Sequence, residues 1–174
     1  IRSCLVGSEM CIRDRLESGP KQRRAFLDWG VFHVEHSFYD AWRRAQRSIK
    51  QRNSLLRQAA KRNKAASQVD RELASALKPW NQELLMMAQS LDEWRSSYLE
   101  AFEPLFNSTL AALTQLPEVS LEYYRGWSRD NALSHVLEDD LQRDLSRGLT
   151  HHGPHRADLR LSLIHISEPT RQDR

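Results

Sequence analysis

Between Asp40 and Asp70 the chain carries nine basic side chains and no acidic one: Arg43, Arg44, Arg47, Lys50, Arg52, Arg57, Lys61, Arg62 and Lys64. Arg43, Arg47, Lys50, Arg57, Lys61 and Lys64 follow one another at three, four or seven residues, which puts them on one stripe of a helix. Neighbouring like charges repel, each i,i+4 pair costing roughly a few tenths of a kcal/mol. A stripe that served only the helix would normally mix in glutamate. The chemistry such a row performs well is the tracking of phosphates, with affinity drawn from released counterions and weakened by salt. The alternative is a solvated flank of a helix pair whose acids come from the facing helix, Glu93 and Glu100 for example.

Two further groupings have chemical potential. Arg23-Arg24 follows Ser18-Gly19-Pro20, and a turn that feeds two guanidiniums into a helix start can hold a phosphate or an acidic loop. An ion pair with Asp28 or Glu35 is the plainer use. The histidines fall into two sets, His33 with His36 and His151 with His152 and His155. Imidazoles at i,i+3 share a helix face and histidine-rich turns bind zinc, but only if the sets converge; ordinary polar or core histidines are the simpler reading. Glu138-Asp139-Asp140 would point apart on a helix and suits a solvated face. There is no G-x-S-x-G, no H-E-x-x-H and no glycine loop followed by Lys-Ser/Thr, so none of the usual catalytic motifs is visible.

These groups need helices to position them. Phe26, Trp29 and Phe32 or His33 recur at helical spacing, and Gly30 should bend or end that helix. Ser37 to about Leu77 contains neither Gly nor Pro and is rich in helix formers. Trp42, Ile49 and Leu56 fall seven apart there, a coiled-coil-like seam interrupted by Arg52. Lys78-Pro79 should break this helix. A second helix is expected from about Asn81 to Leu116, kinked at Pro104 and ended by Pro117, with Leu84, Met87, Leu91, Trp94, Tyr98 and Phe102 as its apolar stripe. The two form an antiparallel hairpin. Val119, Leu121 and Tyr123 then alternate as in a half-buried strand, Asp130 to Arg147 returns to helix with Gly148 as its stop, and Ala157–Arg160 starts another strand. The fold class is mainly α with minor β, a helical arm on an incomplete globular head.

Size and charge add little: 174 residues with a formal net charge of +3, and no apolar run near the ~20 residues that span a bilayer. The two ends do add something. One DNA segment, read once on each strand, encodes both LVGSEMCIRDR (Leu5–Arg15) and LSLIHISEPTR (Leu161–Arg171), and it matches a sequencing-library adapter. Residues 1–15 and 161–174 are therefore set aside as adapter sequence. Both cysteines, Cys4 and Cys11, go with them, and disulfide and zinc-thiolate chemistry lapse. The remainder divides into a head-to-arm junction at 16–36, an arm at 37–117 and a partial head at 118–160. As an internal fragment, its strands at 119–125 and 157–160 should lack sheet partners.

The stretches SGPKQRRAFLDWGVFHVE, IKQRNSLLRQ, KPWNQEL, YYRGW and GLTHHGPHRADL together resemble the middle of the RecF family. That resemblance implies a P-loop, ABC-type ATPase head of the SMC class, a weak ATPase acting with ATP and Mg and dimerising as it binds ATP. It also implies binding to single-stranded and gapped DNA, cooperation with RecO and RecR in recombinase loading, a part in the SOS response, and a cytoplasmic, nucleoid-associated location. The family's Walker A loop would precede Leu16, and its signature and Walker B motifs would follow Arg160, so this segment should bind no ATP alone. Arg23, Arg24, His155 and Arg156 become candidates for phosphate or head contact. The competing functions are a coiled-coil adaptor that uses the Trp42/Ile49/Leu56 seam to bind protein, and a histidine-cluster metalloprotein.

Overall fold

The seam residues Ile49 and Leu56 need an apolar partner, and the facing helix supplies it. The computed structural model describes residues 19–62, 66–114 and 119–163; Lys64, both cysteines and most of the adapter-like ends lie outside them. Helix α1 (Pro20–Val34) leads into α2 (Phe38–Arg62) and α3 (Ala66–Leu113). Along α3, Leu73, Leu77, Leu84, Met87, Ala88, Leu91 and Leu99 are buried. Leu56 packs against Leu73 and Leu77, while Ile49 joins Leu84, Met87 and Leu91. Arg44 meets Glu83 and Arg52 meets Asn81, so one helix advances as the other retreats. The antiparallel hairpin predicted from spacing is present, each buried leucine contributing roughly 1.5–3 kcal/mol.

Its tip is not where Pro79 suggested. Helix α3 runs unbroken through Pro79 and Pro104, while α2 ends at Arg62 and α3 begins at Ala66. An interior proline removes a hydrogen bond and clashes with the preceding turn, at roughly 3 kcal/mol. Both prolines are exposed, however, and Leu77 and Leu84 on either side of Pro79 are locked against α2; packing outweighs propensity. Gly30 does not end α1 either. Its missing side chain makes room for the Tyr98 ring, whose Cε1 would lie 2.9 Å from a Cβ there. The buried face of α1 is Leu27, Gly30 and Val31, leaving Trp29, Phe32 and His33 outward.

Beyond the hairpin come β1 (Val119–Tyr124), α4 (Leu133–Asp139), α5 (Leu141–Arg147), a 3-10 turn (Pro154–Arg156) and β2 (Asp158–Leu163). The single helix expected over 130–147 is divided at Asp140, and Gly148 closes α5 in the left-handed region, φ 66°. The strands are not partnerless. They pair with each other, antiparallel, from Val119↔Leu163 to Tyr124↔Asp158. Strand β2 thus crosses residue 160 and takes in Leu161–Leu163, because Leu159, Leu161 and Leu163 continue the period-two alternation a sheet edge accepts. Val119 is buried and Leu121 and Tyr123 half-buried, while Glu122 and Tyr124 are exposed, as the alternation predicted. One core joins Leu27 and Val31 of α1, the base of the hairpin, Trp127, Leu133, Leu137 and Leu159, so arm base and partial head bury their apolar faces together. The architecture is mainly helical with one two-stranded sheet. Among the described residues no helix is long and apolar enough to cross a membrane.

Candidate nucleic-acid interface

The basic stripe survives folding. Arg43, Arg47, Lys50, Arg57 and Lys61 are all exposed on α2, on the side away from α3; the sixth member, Lys64, falls outside the described residues. They are not equivalent. Arg43 holds its guanidinium 5.7 Å from the Tyr39 ring centre. Arg57 lies along α5, its Nη1 donating to the Gly148 carbonyl at 3.4 Å and its Cγ where a Cβ on Gly148 would come within 2.6 Å. Glu93 and Glu100, the acids suggested for neutralising the stripe, do not meet it: Glu93 accepts from Gln89 at 3.0 Å on its own helix. The cross-hairpin ion pair is instead Arg44 with Glu83, at 2.5 and 3.0 Å, and the pairing favours the charged forms of both side chains. Arg47 also lowers the Glu83 pKa from nearby and Asp40 shares a hollow with Arg43 and Arg47, but neither acid forms an ion pair with the described members of the stripe.

Arg52 is different in kind. Completely buried, it donates to Asp144 at 2.6 Å, to Thr150 Oγ1 at 2.7 Å and to Asn81 at 3.0 Å. Asp144 also accepts from the His151 backbone N–H at 3.0 Å and sits 2.6 Å from the His151 ring, and Asn53 accepts from both the N–H and the hydroxyl of Thr150 at 2.7 Å. What looks in the sequence like an interruption of the seam is the joint between arm and head. The signal was available: a lone arginine among apolar seam positions must be either exposed by a distorted helix or paired in the interior.

Arg23 and Arg24 hold α1 on β2. Arg23 grips Asp158 with Nε at 3.0 Å and Nη2 at 2.8 Å, and Arg24 donates to the Ala157 carbonyl at 2.7 Å. The partner acid is Asp158, far off in sequence, and neither Asp28 nor Glu35. Asp28 belongs to the buried Arg95, 2.7 Å away; burial pushes its carboxyl above the usual range while Arg95 pulls it back. Arg156 is exposed. His155 is mostly buried, its Nε2 donating to the Thr150 carbonyl at 3.1 Å, while Nδ1 has no hydrogen-bond partner.

Burial depresses the His155 pKa to about 4. Its unfolded value is near 6.5, so above that pH the ring is neutral in both states and costs nothing. As pH falls from about 6.5 to about 4, the unfolded chain takes a proton that the folded chain refuses, and roughly 2–3 kcal/mol of stability is lost. Urea unfolding at pH 7 and pH 4 should show His155→Gln losing less stability than the parent by about that amount. Equal losses in the two proteins would exclude this role for His155.

The two sets of histidines stay apart. His33 lies edge-on to Trp29 and Phe32, His151 and His152 face Asp144 and Asp140, and no group of three or more His, Cys, Asp or Glu among the described residues is placed to hold a metal ion. The positive-φ glycines Gly126, Gly148 and Gly153 serve a backbone crossing and a helix cap, and none precedes Lys-Ser/Thr. A polar cavity of about 400 Å³ between α3 and β1 is lined by Asp92, Glu100, Glu103, Tyr123, Arg125 and Arg129, among others. Asp92 Oδ1, Tyr123 Oη and Arg125 Nε are buried without hydrogen-bond partners. Burial also holds the Tyr123 hydroxyl protonated. That cavity is roomy and polar enough for bridging water.

No family model matches the chain. The RecF protein of Stutzerimonas stutzeri (strain A1501), a DNA replication and repair protein, is 45% identical over 148 residues, which are 85% of this chain and 37% of that protein. RecF of Pseudomonas syringae pv. tomato is 47% identical over the same extent. In structure the chain resembles the recombination mediator protein RecF of the RecFOR pathway. The TM-score is 0.74 against the RecF–ATPrS structure at 19% identity, covering 86% of this chain and 40% of that one. Against RecF–ATP it is 0.72 at 20% identity, covering 86% and 41%. The chain spans under half the length of each of these relatives. Over 148 residues the chain is similar to RecF proteins, which are DNA replication and repair proteins.

Proposed function

We propose that the chain is the arm and part of the head of a RecF-like DNA replication and repair protein, and that the outward face of α2 contacts nucleic acid through Arg43, Arg47, Lys50 and Lys61, with Arg57 fixed at the joint and Lys64, outside the described residues, a further candidate. The observation that carries this reading is a row of exposed cations with no acid in the sequence from Arg43 to Arg62 and, among the described residues, no acid that forms an ion pair with it. Homology to RecF supports DNA as the polyanion. The coiled-coil adaptor loses its binding surface, since Ile49 and Leu56 are buried against α3.

The wider activity belongs to the parent protein: ATP and Mg handled by segments outside this chain, ATP-dependent dimerisation, binding at single-stranded and gapped DNA, work with RecO and RecR in recombinase loading, the SOS response, and a cytoplasmic, nucleoid-associated site of action. The RecF–ATP and RecF–ATPrS structures of the RecFOR pathway support nucleotide binding and that pathway for the relatives.

Salt titration tests the stripe. About four phosphate contacts on duplex DNA give a slope of log K against log salt near −3.6, a loss of roughly 150-fold between 50 and 200 mM. Replacing Arg43, Arg47 and Lys50 together by alanine should flatten that slope by about 2.7. An unchanged slope, or binding indifferent to salt, would remove the stripe from the interface.

A further inference from the structure

Asp92, Ser96, Glu100 and Glu103 follow one another at four, four and three residues along α3, which sets them on one stripe of the helix. Leu121 and Tyr123 share one face of β1. Stripe and strand, with Leu99, Arg125 and Arg129, border the polar cavity of about 400 Å³. Its walls are tied before anything enters. Glu103 accepts from the Leu121 N–H at 2.8 Å and clamps β1 to α3. Arg125 donates through Nη2 to the Ser128 carbonyl at 2.6 Å and the Asn131 carbonyl at 3.3 Å, with its guanidinium 4.7 Å from the Trp127 ring centre. Arg129 donates to the Tyr123 carbonyl at 3.2 Å.

The valences left over form a set. Arg125 Nη1 stands 3.5 Å from Asp92 Oδ2, a long contact between two side chains that are each 21% exposed. The other oxygen of that carboxylate, Oδ1, and the Nε–H of that guanidinium are buried without hydrogen-bond partners, as is Tyr123 Oη. Burial, opposed by Arg95 and aided by the nearby Asp92 carboxylate, holds the Tyr123 hydroxyl protonated, so it can donate. One anionic acceptor, one cationic donor and one hydroxyl thus stand unsatisfied around one cavity. Buried polar groups are ordinarily paired, and each exception calls for a reason. A metal ion does not supply one: it would leave the Arg125 Nε–H unpaired, and no group of three or more His, Cys, Asp or Glu among the described residues is placed to hold it. A simple amine would satisfy Asp92 and leave the Arg125 donor; a simple carboxylate would do the reverse. A zwitterion answers both and adds no net charge beside an ion pair that is already balanced. We propose that this cavity binds a free α-amino acid, its ammonium donating to Asp92 Oδ1, its carboxylate accepting from the Arg125 Nε–H and the Tyr123 hydroxyl, and its side chain lying against Leu99 and Leu121. None of these residues belongs to the α2 stripe, and the site stands independently of the nucleic-acid reading.

Isothermal titration calorimetry of the full chain with L-valine, isobutylamine and isovalerate separates the two charges, since these probes share a hydrocarbon skeleton and differ in which charged groups they keep. Valine should bind one to one, and each half-ligand about tenfold more weakly or worse. Tyr123→Phe, which keeps the ring and its packing, should weaken valine about fivefold. Asp92→Asn should weaken valine and isobutylamine without weakening isovalerate. Glu122→Gln, on the exposed opposite face of β1, and Arg43→Ala/Arg47→Ala should both leave valine at the parental affinity. Valine binding no tighter than either half-ligand, or no binding of any of the three probes, overturns the proposal and leaves the cavity to water. So does valine binding that Tyr123→Phe and Asp92→Asn both leave unchanged while their circular dichroism stays parental, because the amino acid then sits elsewhere.

Discussion

Replacing Arg52 by methionine should destabilise the chain by about 3–5 kcal/mol, a large share of the roughly 5–15 kcal/mol that holds a domain folded. The cost does not come from losing an attraction as such. Arg52 and Asp144 are both completely buried, and removing the guanidinium leaves the Asp144 carboxylate in the interior with only the His151 N–H and ring as donors. Asn81 Oδ1 and Thr150 Oγ1 lose a donor at the same moment. An uncompensated buried charge is far more expensive than an apolar residue in the same place. The double substitution Arg52→Met/Asp144→Leu should therefore recover part of the loss, giving a coupling energy of a few kcal/mol in a double-mutant cycle. Recovery stays incomplete because Asn81 Oδ1 and the His151 N–H have lost their partners, while Thr150 keeps Asn53. Arg44→Ala, at an exposed pair with Glu83, should leave the urea midpoint almost unchanged. A midpoint for Arg52→Met within error of the parent would show that the joint between arm and head lies elsewhere.

Why did the pattern of the sequence reveal the hairpin and not this joint? Periodicity reports which residues want to be inside, and along α2 and α3 that demand is met by the nearest long helix. Trp42, Ile49 and Leu56 could be read directly, as could the exposed row Arg43, Arg47, Lys50, Arg57 and Lys61 opposite them. Periodicity does not report which of two faces wins when both carry apolar groups. On α1, Phe26, Trp29 and Phe32 recur at helical spacing, yet the buried positions are the smaller Leu27, Gly30 and Val31, Gly30 against the Tyr98 ring, and Trp29 and Phe32 remain outside. Local rules also failed where tertiary packing overrode them. Pro79 stays within α3 because its neighbours Leu77 and Leu84 are fixed by α2, and Gly30 continues α1 because its lack of a side chain is used for close approach. The long-range ion pairs were the least accessible. Arg23 finds Asp158 and Arg52 finds Asp144 across 135 and 92 residues, separations that no spacing rule connects. Family resemblance placed Arg23 and Arg24 in a motif without saying that Asp158 and the Ala157 carbonyl, in the GPHRADL stretch, are what they hold.

The same two motifs meet again at Gly126, where substitution should be nearly as costly as at Arg52. Gly126 has φ +104°, a backbone conformation that costs an L-residue roughly 1–3 kcal/mol. A Cβ there would be driven into the Gly153 carbonyl oxygen and come within 3.0 Å of the Ala157 nitrogen. Neither obstacle is a side chain that can turn aside, because the Gly153 N–H donates to the Gly126 carbonyl at 3.2 Å and ties the two backbones together. Overpacking against a fixed backbone adds roughly 1–3 kcal/mol, so Gly126→Ala should lose about 2–5 kcal/mol in urea unfolding followed through the buried Trp127 beside it. Gly19→Ala, with nothing within 4 Å of the added carbon, should stay close to the parent. Gly30→Ala should cost less than Gly126→Ala if the Tyr98 ring can swing away. Parental stability in Gly126→Ala would mean that YYRGW and GPHRADL do not cross at these glycines. The crossing matters for more than stability. It fixes the 3-10 turn that carries His155 and Arg156 and sets the start of β2 where Arg23 and Arg24 reach it, so a chain that folds around an alanine at 126 would present α1, and the aromatic face it carries, from a displaced support.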